Sequence, residues 1–419
     1  MDGLNKSFLK KILFISYDGM TDVLGQSQVI PYLAGLTKLG YEFTILSCEK
    51  PAMLATNRAY VEKLLEDLPI KWNPIIYHKK PPVISSVYDV YTLKRTAKKL
   101  HSKEKFDMVH TRPGIPSLIG LWMKKKLGIP FLNDIREFYA DSRVEGGMWN
   151  KKKIHYKIIY NYFIKKEKEA VDYSDGIVCL TYAAKNIIGK WPQFNKDIPM
   201  EVIPCSVDMQ LFDPNNIDPK LRLNLKSKLG ISEKDFIISY LGSIGGWYLI
   251  SEMMEFFKLF SSKIPAAKLL FISPHQHEVI FEAAAKAGLK KDKIIVTHAQ
   301  RHEVPLLLSL STFSVFFIKS CYSKKSSSPT KHGEIMAMGI PVITNNGVGD
   351  VAEIIKKYQS GFVIQSFSNA SFLSVISSIT NGVSFDSIAI RNGAKEYYDL
   401  QNAISKYEAI YKSILKPSL

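Results

Sequence analysis

The stretch SSSPTKHGEIMAMGIPVITNNGVGD, residues 326–350, reads as a polar loop, a helix from Pro329 to Met338, a Gly-Ile-Pro turn, the strand IPVITN and a glycine-rich turn that opens another helix at Asp350. That order is the unit of a parallel α/β sheet, whose ligands bind in loops at the carboxyl ends of strands. The helix start behind Ser327, Ser328, Pro329 and Thr330 offers free N–H groups to an anion. Lys331 lies in the first turn, where a cation opposes the helix dipole. It fits there as the partner of a phosphate or as a solvated lysine. Glu334, one turn on, can accept hydrogen bonds from ribose hydroxyls, as acidic residues do in dinucleotide folds, or stand as a surface glutamate. Its apolar neighbours Ile335, Met336 and Met338 argue against full exposure.

Outward from this block the same alternation continues in both directions. On its amino-terminal side lie FIISYLGS (236–243), a helix at 249–260, AKLLFIS (267–273), a helix at 278–287, KIIVTH (293–298), a helix at 303–310 and FSVFFI (313–318); GFVIQS (361–366) follows it. An earlier series has KILFIS (11–16), a polar loop DGMTDVLGQSQ, a helix at 29–39 closed by Gly40, then YEFTILS (41–47), IIYHK (75–79), DMVHT (107–111), IPFLND (129–134), GIVCLT (176–181) and EVIPCS (201–206). Two α/β domains follow, as a chain of 419 residues also requires, since single cores stop growing near roughly 250–300 residues. The expected boundaries are an amino-terminal domain over 1–207, an Asp-, Asn- and Pro-rich linker over 208–232, a second domain over 233–393 and a helical tail over 394–419. Tyr397, Tyr398, Ile404, Tyr407, Ile410 and Tyr411 form the tail's buried stripe.

The net charge is +17, and residues 1–205 contribute 32 basic against 21 acidic side chains. Such a surface suits nucleic acid, anionic lipid or phosphate-bearing substrates. Four scattered cysteines, 48, 179, 205 and 321, match no metal spacing and imply free thiols in a reducing compartment. No secretory signal and no run of about 18 apolar residues is present, so a cytoplasmic protein is expected. No Walker A loop, GxSxG elbow, HExxH or DxD metal motif occurs, and the histidines at 275 and 277 read as loop residues.

GEIMAMGIPVITN resembles the signature E-A-M-A-x-G-x-P-V of the retaining GT-B glycosyltransferases of the large family 4 group, and S-x-P-x-K-x-x-E resembles a polysaccharide-assembly branch of it. SYDGMTDVLGQSQVIPYL (16–33), EVIPCSVDMQLF (201–212) and YLGSIGGWY (240–248) resemble, in order, that family's amino-terminal glycine loop, its pre-hinge run and its first carboxyl-domain strand and loop. The resemblance implies two Rossmann-like domains facing a central cleft, with a carboxyl-terminal helix crossing back to the first domain. It implies sugar transfer from a UDP- or GDP-linked donor with retention, to a glycan or lipid-diphosphate acceptor, without metal or resident cofactor. Glu334 matches the second Glu of the E-x7-E motif, while Ser326 replaces the first. The Arg and Lys that clamp the diphosphate in relatives are missing from GGWYLISEMM, so the role passes to Lys331, or to Lys319, Lys324 or Lys325. The donor set implied is Gly25, Gly242, Ser243, Val296, Ser326, Ser328, Thr330, Lys331 and Glu334, with His110, Lys331 and Glu334 catalytic.

His110 and Arg112 end a strand, and in the resembled enzymes a His in this region faces the donor sugar; a structural histidine is the alternative. Asp18 and Thr21 follow the first strand. DIREFYADSRVEGG (134–147), with Asp134, Arg136, Glu137, Asp141 and Arg143, reads as an acceptor pocket or as a salt-bridged loop. Residues 149–168 carry seven lysines in twenty positions, and Lys151, Lys152, Lys153, Lys157, Lys165 and Lys166 beside an apolar stripe suit peripheral attachment to an anionic inner membrane face. No nucleic-acid partner is expected. The rival readings are a nucleotide-sugar epimerase of the same fold and a catalytically silent nucleotide-sugar binder.

Overall fold

The computed structural model describes residues 9–81, 83–274 and 277–416. They divide into two units, Met1–Pro204 with Leu400–Leu419, and Cys205–Asp399.

The first unit holds a seven-stranded parallel sheet in the order β3-β2-β1-β4-β5-β6-β7. Its strands are β1 Lys10–Ser16, β2 Tyr41–Glu49, β3 Ile70–Ile76, β4 Met108–Thr111, β5 Phe131–Ile135, β6 Gly176–Cys179 and β7 Met200–Val202. Its helices are α1 Val23–Gln28, α2 Ile30–Thr37, α3 Pro51–Leu65, α4 Ile84–Glu104, α5 Ile115–Leu127, α6 Tyr139–Glu145, α7 Ile154–Tyr173 and α8 Tyr182–Ile188. Parallel strands are buried on both faces and so read as continuous apolar runs. One face of this sheet packs against α2 and the returning carboxyl-terminal helix, the other against α4, α5 and α7.

The second unit carries a six-stranded parallel sheet in the order β10-β9-β8-β11-β12-β13 around one large core. Its strands are β8 Phe236–Leu241, β9 Ala267–Ile272, β10 Ile294–Thr297, β11 Phe313–Phe316, β12 Val342–Asn345 and β13 Gly361–Ile364. Its helices are α9 Pro219–Lys228, α10 Ile250–Lys263, α11 His277–Lys286, α12 Val304–Leu308, α13 Thr330–Ala337, α14 Val351–Tyr358, α15 Asn369–Thr380 and α16 Ser387–Tyr398. The carboxyl-terminal helix of the first unit, α17, spans Leu400–Ile414.

Several expectations need correction. Residues 208–232 are no free linker: Asp218 caps α9, its side chain accepting from Lys220 N, and the segment belongs to the second unit. The tail is two helices, since the chain turns extended at Asp399 (ψ 129°) where it leaves the second unit for the first. The third strand lies at 70–76 rather than 75–79, because it pairs with β2 from Phe43 to Glu49. Val23–Gln28 is helical within the expected polar loop, and His277 opens α11 rather than lying in a loop. His275 lies outside the described residues.

Candidate active site

In the second unit the chemistry gathers where the adjacent strands β8, β11 and β12 end. After β8, Gly242 (φ +111°) starts the turn to Trp247 and Tyr248. That turn is pinned to the segment after β11: Lys319 N donates to Trp247 O, and Leu249 N to Phe317 O, each at 2.9 Å. After β12, Asn345 pairs with Ile318 like a peptide group, accepting its N–H at 2.8 Å and donating to its carbonyl at 2.9 Å.

Lys331, in the first turn of α13, reaches into this corner. It is buried, and its Nζ donates to Tyr240 Oη at 3.1 Å while lying 4.2 and 3.8 Å from the ring centroids of Tyr240 and Tyr248. Among the described residues no carboxylate comes within ion-pair distance of it. A Cβ on Gly242 would stand 3.1 Å from Nζ, so the glycine leaves the ammonium its room. Burial holds the ammonium well below the ordinary lysine range, with Glu334 pulling the other way. The Lys331 Nζ is thus surrounded by two aromatic faces and one hydroxyl. Lys324, also buried, lies 3.7 Å over the Trp247 ring. The two lysines thus stand over the very loop that lacks basic residues of its own.

Glu334 is buried and accepts from Arg301 Nη1 at 2.7 Å through Oε1. Oε2 takes no hydrogen bond among the described residues. Thr330 is half-buried at the start of α13, and Ser328 Oγ accepts from Cys205 N at 3.3 Å. Ser326 has no exposed surface, and its hydroxyl donates to Ser323 O at 2.7 Å. It shapes its own turn and does not face a ligand. Ser243 is exposed in the glycine turn, its carbonyl accepting from Tyr240 Oη, and Val296 is half-buried on the edge strand β10.

In the first unit, Asp18, Arg112 and Arg136 follow the carboxyl ends of the neighbouring strands β1, β4 and β5. Asp18 is exposed. Thr21 is turned inward, its hydroxyl on Glu49, a buried carboxylate the sequence reading overlooked. Glu49 also accepts from Met20 N at 2.7 Å, Thr21 N at 3.1 Å and Ser47 Oγ, and so sets the turn after Asp18. Gly25 packs closely on α1: a Cβ there would strike the Gly19 carbonyl and Met20 Cα.

His110 and Asp134 are interior groups rather than groups presented to a sugar. His110 Nδ1 lies 2.7 Å from Tyr411 Oη, its Nε2 is 3.5 Å from Asp134 Oδ2, and Phe14 stands edge-on to its ring. Tyr407 Oη donates to Asp134 Oδ2 at 2.8 Å. Burial drives the Asp134 carboxyl up, but Arg136, His110 and Arg112 outweigh it and hold the group at about 2. Burial lowers the His110 pKa, with Asp134 pulling the other way. Arg112 Nη1 donates to the Gln28 carbonyl at 3.1 Å. Both tyrosines come from α17, about three hundred positions along the chain, a separation that local pattern cannot bridge.

The 136–145 segment matches the salt-bridged reading over the open pocket. Glu137 pairs with Arg143 at 3.3 Å and accepts from Ser142 Oγ at 2.7 Å, Arg143 stacks on Tyr139, and Asp141 accepts from Tyr160 Oη on α7 at 2.8 Å. A second missed group is His78, whose Nδ1 lies 2.7 Å from the buried Asp89, itself accepting from Tyr17 Oη at 2.8 Å. On α7 and the turn before it, Lys151, Lys152, Lys153, Lys157 and Lys165 are exposed, while Lys166 is half-buried and paired with Glu169 at 2.7 Å.

Comparison with known proteins agrees with this layout. The model of glycosyl transferases group 1 matches residues 222–396, and that of glycosyltransferase family 4 matches residues 25–211. The UDP-Gal:alpha-D-GlcNAc-diphosphoundecaprenol alpha-1,3-galactosyltransferase of Escherichia coli is 22% identical over 325 residues, 75% of this chain and 77% of that one. Among solved structures, a glycosyltransferase from Rickettsia africae has a TM-score of 0.69 at 20% identity, covering 98% of this chain and 99% of its own. Anabaena Alr3699/HepE in complex with UDP-glucose has 0.69 at 13% identity, covering 96% and 99%. With both of its units matched by glycosyltransferase models and each built on a parallel Rossmann-like sheet, the chain belongs to the family 4-like GT-B glycosyltransferases.

Proposed function

We propose that this glycosyltransferase takes a hexose from a UDP- or GDP-linked donor and passes it, with retention, to a lipid-diphosphate-linked or glycan acceptor during surface polysaccharide assembly. The buried, carboxylate-free Lys331 carries the reading. As the bond from sugar to diphosphate breaks, charge builds on the leaving group, and a preorganised cation in a water-poor corner stabilises it most. Lys331, the first N–H groups of α13 and Lys324 supply that stabilisation in place of a metal ion or a resident cofactor. Glu334 Oε2 accepts from the donor's ribose, with Arg301 fixing the carboxylate. The departing phosphate accepts the acceptor's proton, so no protein nucleophile is assigned. The acceptor approaches the Asp18 turn of the first unit, which Glu49 shapes. The lipid-linked substrate of the Escherichia coli relative supports the acceptor class, and the lysines of α7 support a peripheral position at the inner membrane face.

The test is thermal shift against UDP, GDP and their sugar conjugates, followed by product anomer analysis. At 100 times its dissociation constant a nucleotide stabilises by about 2.7 kcal/mol. Stabilisation by UDP or GDP that Lys331→Met abolishes is expected. Absence of any nucleotide effect overturns the reading, and an epimerised sugar without acceptor transfers it to the epimerase.

A further inference from the structure

Helix α4 turns one face mostly to solvent, where the fold touches it through the edge contact of Tyr88 with His78 and through Lys94 over Trp122. Ser85, Asp89, Leu93 and Ala97 point into the first unit. Ile84, Val87, Tyr88 and Tyr91, spaced i, i+3, i+4 and i+7, are all 54–67% exposed. A surface helix normally places polar side chains on such a face, and contiguous exposed apolar groups mark an interaction surface. The same face continues as Lys94, Arg95 and Lys98, and Lys79 and Lys80 stand exposed before the helix. Across residues 79–103 the one carboxylate is Asp89, which is buried.

Helix α7 repeats the pattern. Ile154, Ile158 and Tyr162 are 48–69% exposed at i, i+4 and i+8, among Lys151, Lys152, Lys153, Lys157 and Lys165. Both helices pack beside α5 on the same face of the sheet. Each connects parallel strands, so each runs antiparallel to them and begins at the sheet's carboxyl edge. The exposed apolar residues occupy the first turns of both helices, at the edge that also bears the Asp18 turn.

We propose that the opening turns of α4 and α7 form a two-point platform that inserts into the interfacial zone of an anionic bilayer. Aliphatic side chains enter the acyl boundary, the tyrosines sit at headgroup depth, and the flanking lysines and arginine hold the anionic headgroups. The charge decides for this occupant: an apolar patch with a wholly cationic border complements an anionic lipid surface. The platform extends the proposed function, and rests on its lipid-linked acceptor for its role though not for its geometry. It adds an apolar, salt-resistant component on α4 to the electrostatic attraction of α7.

The experiment is co-sedimentation of the full chain with vesicles of phosphatidylcholine alone or with about 30 mol% phosphatidylglycerol, at low salt and near 0.5 M NaCl, where charge attraction is screened beyond roughly 4 Å. Wild type should bind the anionic vesicles and keep a measurable fraction bound at high salt. Ile84→Gln/Val87→Gln should lose the salt-resistant fraction and at least about tenfold in affinity. Lys94→Gln/Arg95→Gln should weaken binding at low salt and leave the salt-resistant fraction in place. Both pairs are exposed, and unchanged near-UV circular dichroism confirms folding. Vesicle binding that is absent in wild type, or equal in Ile84→Gln/Val87→Gln, overturns the platform. So does self-association that the aliphatic variant abolishes without any vesicle binding, which would assign the face to a second copy. UDP or GDP thermal shift on the same variants separates the two ideas: it should be unchanged if the platform is right, and its absence from wild type would sink the transfer reading alone.

Discussion

Burial holds the Lys331 ammonium below its ordinary range, and that shift has a sign for stability. The folded state is disfavoured most below the folded-state pKa, and the deficit disappears as pH rises to the unfolded lysine's value. At neutral pH, Lys331→Met should therefore raise the melting temperature of the nucleotide-free chain, by about 1–3 kcal/mol equivalent, while removing stabilisation by nucleotide. Differential scanning calorimetry with and without nucleotide measures both, and a destabilised variant would contradict the role proposed for Lys331. Glu334→Gln keeps the shape and loses the charge. Donor binding should weaken by roughly 1.5–3 kcal/mol, read as a rise in KM for the nucleotide sugar with the fold intact. Lys331 and Glu334 were legible because spacing within one helix places them together behind a Ser-Ser-Pro-Thr opening. Tyr240 and Arg301, 91 and 33 positions from their partners, were not, because only the sheet brings them there. Glu49 was equally hidden: a carboxylate ending an apolar strand looks like a surface residue until the turn it supports is seen.

Elements separate into those whose pattern states their burial and those whose surroundings do. Eleven of the thirteen strands stand at or within a residue or two of where apolar runs put them, since double-faced burial writes itself as a run, while the run at 201–206 stops pairing at Val202. Helix α4 escaped notice because its solvent face is apolar, which erases the 3.6-residue contrast that marks a helix. Between α6 and α7 the ties are specific. Glu167 on α7 accepts from Tyr139 N at 2.7 Å and Ala140 N at 3.4 Å, capping α6. Burial pushes the Glu167 carboxyl up to about 8, the two N–H groups pull it down, and Asp141 and Glu137 add to the rise. A carboxyl raised from 4.5 contributes stability that is complete below pH 4.5 and lost as pH climbs through 8. Glu167→Gln should remove a pH-dependent loss of about 2 kcal/mol between pH 5 and 8, after discounting for partial exposure. Urea titrations of both proteins at those two pH values measure it, and parallel pH profiles would refute it.

Across the whole molecule, α17 belongs to the first unit although it begins nearly two hundred positions after β7 ends. Tyr407 and Tyr411 supply the hydroxyls for Asp134 and His110, and Ile404 fills the space beside Gly35. Tyr407→Phe leaves Asp134 with one partner fewer in a buried setting and should cost about 1–3 kcal/mol, seen as a shift in urea midpoint without a change in slope. The order of synthesis then matters. Chains elongate at about 5–20 residues per second, so for roughly 10–40 s the first sheet waits beyond the ribosome with part of one face, the part α17 covers, exposed. A fragment of residues 1–204 should consequently bind a hydrophobic dye and lack near-UV ellipticity, and a peptide of residues 400–416 supplied in trans should restore the signal. The same open face is present in every nascent chain, so slowing synthesis of the second half should lower the folded yield, an outcome that pulse-labelling of slow-codon variants measures.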